Sequence, residues 1–211
     1  MNLRMITIYG VHRSRASRNI WLAYELGIPF KQVPVVQHYR LKEPIPADIV
    51  HTKSSSFLKV NPNGHIPTME DGGLVVHESL AINLYLAKKH GGPLAPATVA
   101  EDGLMGMWAL WAMTEVEPHS LSIAQNGPSP AALDALRGPF AVLNEALADG
   151  RGFLVGGRFT VADINVAEVV RYAEGATALF EAAPGVKVWF EACRARPAYR
   201  KMWDEREKEP A

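Results

Sequence analysis

With one cysteine, Cys193, the chain has no means of forming an internal disulfide, and a reducing compartment, the cytoplasm, is expected for it. Charge of one sign is equally lacking. Lys and Arg number 22, as do Asp and Glu, so no basic excess points to a nucleic acid or an anionic membrane, and neither partner is expected. No apolar run reaches the length that spans a bilayer. The opening residues MNLRMITIYG are too short in their apolar part, and lack the cleavage pattern, for a secretory signal. Patterns of the CxxC, HxxxH or HExxH kind are missing too, so neither a dithiol nor a metal site is expected.

What the chain does have is apolar material, 48% of its 211 residues, enough for one large core or two small ones. The first part alternates strand and helix. Residues 5–9 (MITIY) read as a strand closed by Gly10, and residues 14–26 as a helix with Ile20, Ala23 and Tyr24 on one face. Gly27 and Pro29 stop that helix. A second strand covers 30–36, with Pro34 marking an edge or an irregular end, and 37–56 read as loop with at most a short helix. A hairpin follows over 67–70 and 74–76 around Asp71-Gly72-Gly73. A helix then covers 78–89, with Ala81, Leu84 and Tyr85 on one face. The order is βαβ, loop, ββα.

The run HGGPLAPAT, residues 90–98, has a linker's composition. It divides an α/β domain over 1–89 from an all-helical domain over 99–211. In the second domain Leu104, Met107, Trp108, Trp111 and Ala112 fall at the spacing of a helix buried on one side. Pro128 and Pro130 bound a helix over about 131–148. In FTVADI, Thr160 and Asp163 make a capping box, and Phe159 and Ile164 take the hydrophobic-staple positions. Two short helices, about 184–194 and 197–207, complete the pattern.

Four stretches, in order, carry a resemblance. Tyr9-Gly10 with Ser14, Ser17 and Arg18 is similar to a catalytic-serine turn; Asn61-Pro62-x-Gly64-x-Ile66-Pro67 to a loop entering a cis-proline; Glu78-Ser79 to the start of a glutathione-binding helix; and Phe159-Thr160-x-Ala162-Asp163 to the capping box of a buried helix. Together they resemble the glutathione transferases, in the serine-using phi and theta branches. The resemblance covers essentially the whole chain. It implies a thioredoxin-like domain that binds glutathione and a helical domain that supplies the electrophile site between the two. It further implies a cytoplasmic homodimer with a detoxifying role, glutathione as co-substrate, no permanently bound cofactor, and a small hydrophobic electrophile as second substrate.

The chemistry demanded of such a site is definite. A free thiol ionises near pH ~8.5 and only its thiolate is a strong nucleophile, so an enzyme must grip an acidic peptide and favour the thiolate. Helix N-termini suit both tasks. Ser14, at the entry to the first helix, can donate to the sulfur or serve simply as a helix cap. Tyr9 is the rival donor, and is also a natural half-buried strand aromatic. Ser17 is a lesser alternative, Arg18 a structural partner or a source of positive potential, and Arg13 and Arg15 simple surface charge. By resemblance, Ile66 offers its backbone to the cysteinyl unit beside Pro67, as an added strand would pair. Glu78 suits the γ-glutamyl ammonium and Ser79 its carboxylate. Lys53 and His65 suit the glycine carboxylate, His65 standing where relatives carry Gln or Lys, with His51 weaker. Met107, Trp108, Trp111, Glu115 and His119 mark the first helix of the second domain, Trp108 as core first. Cys193 reads as a buried small apolar residue.

Other readings are a glutathione-dependent disulfide or peroxide reductase, isomerase or dehalogenase on the same scaffold, and a non-catalytic scaffold protein. HRSRASR lacks the serine pair of the maleylacetoacetate isomerase branch, which ranks that one lower.

Overall fold

A computed structural model of the chain describes residues 5–209; the ends of the expected domains at 1–4 and 210–211, and the first four residues of MNLRMITIYG, lie outside the described residues. β1 (Ile6–Tyr9) leads through a turn into α1 (Ala16–Leu26) and returns as β2 (Phe30–Val33), parallel to β1. After α2 (Ser55–Leu58), β3 (Thr68–Asp71) and β4 (Leu74–His77) form a hairpin whose first strand runs antiparallel to β1, and α3 (Ser79–His90) follows. The sheet order is β2-β1-β3-β4. The expected βαβ–ββα fold is present.

The alternation of side chains along a strand explains the packing. Ile6, Ile8 and Met69 point to one face and are buried; Thr7, Tyr9 and Glu70 point to the other. Gly27, at φ 64, closes α1 in the left-handed conformation. Pro34 ends β2 three residues before its expected limit, leaving one further bridge from Val36 to His51. Gly72 and Gly73 supply the two positive-φ positions of the hairpin turn.

Two helix faces differ from expectation. On α3 the buried residues are Ser79, Leu80, Ile82, Asn83, Leu86 and Ala87, while Ala81 is exposed and Leu84 and Tyr85 are half-buried. A polar residue decides the face: Asn83 accepts from Asn19 at 2.7 Å and donates to the Arg18 carbonyl, and Tyr85 turns outward to donate to Asp71.

The second difference lies on α4 (Val99–Trp111), where Met105, Trp108, Ala109 and the following Ala112 are buried, while Leu104 and Met107 are 44% and 47% exposed. The helix is apolar on more than one side, and packing against a later buried helix, not periodicity, selects the face. Past Trp111 the coil widens over Ala112–Val116, because Pro118 has no N–H for the carbonyl a turn behind it. α5 (Glu117–Asn126) and α6 (Pro130–Ala146) follow.

α7 (Val161–Val170) is buried along its whole length and starts with the expected capping box. Asp163 accepts from the Thr160 N–H at 2.8 Å and its hydroxyl at 3.1 Å, from the Leu154 N–H at 3.0 Å and from Trp189 Nε1 at 2.9 Å. Burial raises the Asp163 carboxyl, and these donors work against the rise. α8 (Thr177–Ala182) and α9 (Pro184–Arg194) complete this group, with Cys193 fully buried.

The chain forms two compact units, one over 87–196 and the other over 1–86 joined by 197–211. The last helix, α10 (Pro197–Lys208), therefore belongs with the first unit, although its sequence reads with the helical half. It packs on α1, Tyr199 standing edge-on to Trp21 at 4.9 Å and Lys201 lying 4.0 Å over the Tyr24 ring. The 90–98 run is held within the second unit. Arg158 donates to the carbonyls of Pro93 and Ala95 and pairs with Glu101, and the Val161 N–H donates to Leu94.

Candidate functional site

Strand register gathers the candidate residues before any side chain is considered. Tyr9, the last residue of β1, pairs with Thr68, the first of β3, and Thr68 pairs with His77, the last of β4. Gly10–Ser14, Ile66–Pro67 and Glu78–Ser79 thus leave the same end of the sheet. The Ile66–Pro67 bond is cis, and Ile66 takes no part in the ladder, whose first pair on β3 is Thr68.

Gly10 sits between the two residues of most interest. At φ 142, a Cβ on it would come within 2.9 Å of Ala16 Cβ and 3.5 Å of both Ile66 Cβ and Ser14 Oγ. Only glycine lets the serine turn and the proline loop close on each other here. Ser14 is 8% exposed. Its hydroxyl donates to the Val11 carbonyl at 2.6 Å and accepts from the Ala16 N–H at 3.1 Å, the pattern of a hydroxyl that caps a turn. It precedes α1 because residues 12–15 form a turn closed by three-residue hydrogen bonds.

Tyr9 lies on the other sheet face. Its hydroxyl donates to Glu70 at 3.1 Å and its ring stands 6.2 Å from that of Phe57. Burial, and then the hydrogen bond to Glu70, raise its pKa, which keeps its proton in place.

At the start of α3, Glu78 is exposed and holds a left-handed backbone, φ 66. Ser79 is buried; its hydroxyl accepts from Arg18 Nη1 at 3.0 Å and its carbonyl from Asn19 at 2.8 Å. The buried Arg18 guanidinium thus stands directly behind the Ser79 hydroxyl. Arg18 is one residue whose role the sequence left divided. Its pairing to Ser79 crosses 61 positions of sequence, and only the β-sheet register brings the two together.

Lys53 and His65 are both exposed. Asn61, buried, holds the intervening turn: its amide donates to the His65 carbonyl at 2.9 Å and to Thr68 at 3.0 Å, and its oxygen accepts from Asn63. A Cβ at Gly64 would lie 2.8 Å from the Thr52 carbonyl, so the chain just before His65 runs against the chain just before Lys53. His51 is engaged in structure: its Nδ1 accepts from the Lys53 N–H and its ring packs on His38 at 4.9 Å. In the second unit Trp108 is buried against the half-buried Trp111, ring centroids 5.0 Å apart, while Met107 and Glu115 are exposed and His119 is half-buried. No hydrogen bond or ion pair joins Glu115 to His119 among the described residues.

Arg13, expected as surface charge, is tied to the last turn of the first unit, its N–H donating to the Glu209 carboxylate at 2.9 Å and its Nε to the Glu209 carbonyl at 2.9 Å.

A mixed sheet with a cis-proline ahead of its third strand and a serine turn beside it define a thioredoxin-like domain, here followed by helices. Models of the glutathione S-transferase N-terminal and C-terminal domains match residues 8–94 and 109–192. Glutathione S-transferase 3 of Zea mays is 33% identical over 184 residues, covering 75% of this chain and 80% of its own. Poplar glutathione transferase F1 superposes with a TM-score of 0.81 at 22% identity, over 97% of this chain and 99% of its own. The theta-class glutathione S-transferase of Xanthomonas axonopodis pv. citri, solved with glutathione bound, gives 0.70 at 28% identity, over 93% and 95%. The chain belongs to the glutathione S-transferase family.

Proposed function

We propose that the glutathione transferase activity of this chain runs through Ser14, with glutathione laid across the edge formed by Ile66, Glu78 and Ser79 and its glycine carboxylate met by Lys53 and His65. The observation that carries this reading is Gly10, which holds Ser14 Oγ and Ile66 on either side of one missing Cβ. A cysteinyl unit paired to the Ile66 backbone would bring its sulfur to the serine turn. The Ser14 proton then turns from the Val11 carbonyl to the sulfur, while the Ala16 N–H keeps donating to Oγ and polarises it. Donation to the thiolate favours the charged form, and the start of α1 adds its dipole. The second substrate is a small hydrophobic electrophile. Cys193 is fully buried and the serine turn contains no thiol, which favours conjugation over mixed-disulfide chemistry. A homodimer in the cytoplasm, where glutathione is kept reduced, completes the proposal.

Replacing Ser14 by alanine should lower kcat/KM for a generic aryl halide by roughly a hundredfold, the effect of losing one donor to a developing anion, with retention on immobilised glutathione unchanged. Tyr9→Phe should stay near wild type. An active Ser14→Ala beside an inactive Tyr9→Phe would reverse the assignment.

A further inference from the structure

The C-terminal helix reaches the serine turn through a histidine the site does not otherwise use. His12 is 6% exposed. Its Nδ1 lies 2.8 Å from Glu209 Oε1 and its Nε2 3.0 Å from Glu205 Oε2. Both ring nitrogens thus face carboxylate oxygens contributed by α10 and the residue that follows it. The His12 N–H donates to the same Glu209 oxygen at 2.8 Å, the Arg13 N–H to the other, and the Arg206 guanidinium to the His12 carbonyl. Tyr24 of α1 donates to Glu205 at 2.5 Å. From β2, Gln32 lies 3.4 Å from Nδ1 while donating to the Gly10 carbonyl at 3.0 Å. Burial pushes the Glu209 carboxyl up, but the donors from His12 and Arg13 outweigh it and hold the group below its ordinary value. Next along the chain from His12 is Val11, whose carbonyl receives the Ser14 proton.

We propose that His12 is a positioning residue for the serine turn: held between Glu205 and Glu209, it ties residues 11–13 to α10. This rests on the reading of Ser14 given above. Glu205, Glu209, Arg206, Arg13 and Tyr24 are the charged or titratable groups around His12.

Two readouts on the full chain test the clamp. Amide exchange of residues 197–208, corrected for intrinsic rate, should quicken in His12→Ala and return towards the wild-type rate in His12→Gln, whose amide can still donate to a carboxylate. Turnover with glutathione and an aryl halide should fall by on the order of tenfold in His12→Ala, the cost of a displaced catalytic group, as a loss of kcat with KM for glutathione unchanged, and should recover in His12→Gln. Faster exchange with wild-type turnover in His12→Ala, or no recovery of either readout in His12→Gln, overturns the proposal. Unchanged exchange in His12→Ala with Ser14→Ala inactive overturns the clamp alone. Faster exchange in His12→Ala while Ser14→Ala is fully active overturns the serine reading instead.

Discussion

Glu78 holds a backbone conformation that costs an L side chain about 1–3 kcal/mol, at φ 66 and exposed to solvent. Strain without burial is expected where the side chain has a task. Two substitutions separate strain from task. Glu78→Gly should raise the free energy of unfolding by about 1 kcal/mol, since glycine accepts the conformation freely, yet weaken glutathione binding. Glu78→Gln should leave stability close to wild type and weaken binding as well. Chemical denaturation and titration calorimetry read the two quantities apart; a glycine variant that binds glutathione normally would remove Glu78 from the site. The Glu78-Ser79 pair was legible in the sequence as an acid and a hydroxyl at a helix start. Its left-handed geometry was not, because it is set by where β4 ends against Thr68. His12 was less legible still: its carboxylate partners lie 193 and 197 residues away, and no local pattern registers such a distance.

Among the elements, α7 was the most legible and α3 and α4 the least. A capping box is written within four residues, so Thr160 and Asp163 could be read directly. The apolar faces of α3 and α4 could not, because each helix is apolar on more than one side and the chosen face depends on a partner: Asn19 for α3, the buried α7 for α4. The capping box also does more than its sequence implies. Asp163 accepts from Leu154, Thr160 and Trp189, which lie in three separate stretches of chain. Asp163→Ala leaves four buried donors without an acceptor and should cost on the order of 4 kcal/mol, while Thr160→Ala, which removes one cap, should cost about 1–2 kcal/mol. Similar losses for the two in urea denaturation would reduce Asp163 to an ordinary helix cap.

On the scale of the whole molecule, the division into an α/β part and a helical part was legible from composition and order, and the placement of α10 was not. Its sequence is an ordinary amphipathic helix; only its packing on α1, with Tyr199 against Trp21 and Lys201 over Tyr24, assigns it to the first unit. In the second, Glu101 is held at about 2, below its ordinary 4.5, first by the Arg158 hydrogen bonds and then by the Ala97 N–H. A carboxyl depressed in the fold stabilises above its ordinary value and loses that contribution as pH falls towards the depressed one. Thermal unfolding of the second unit should therefore weaken between about pH 4.5 and about pH 2, and Glu101→Gln should flatten that limb; an unchanged limb would assign the acid sensitivity elsewhere. The return of α10 to the first unit has a consequence for biosynthesis. A growing chain ordinarily folds its leading domain first, but here α1 waits for α10, which is synthesised only after the whole of the second unit. The leading unit is thus finished only after the helical unit that interrupts it in the sequence has been made.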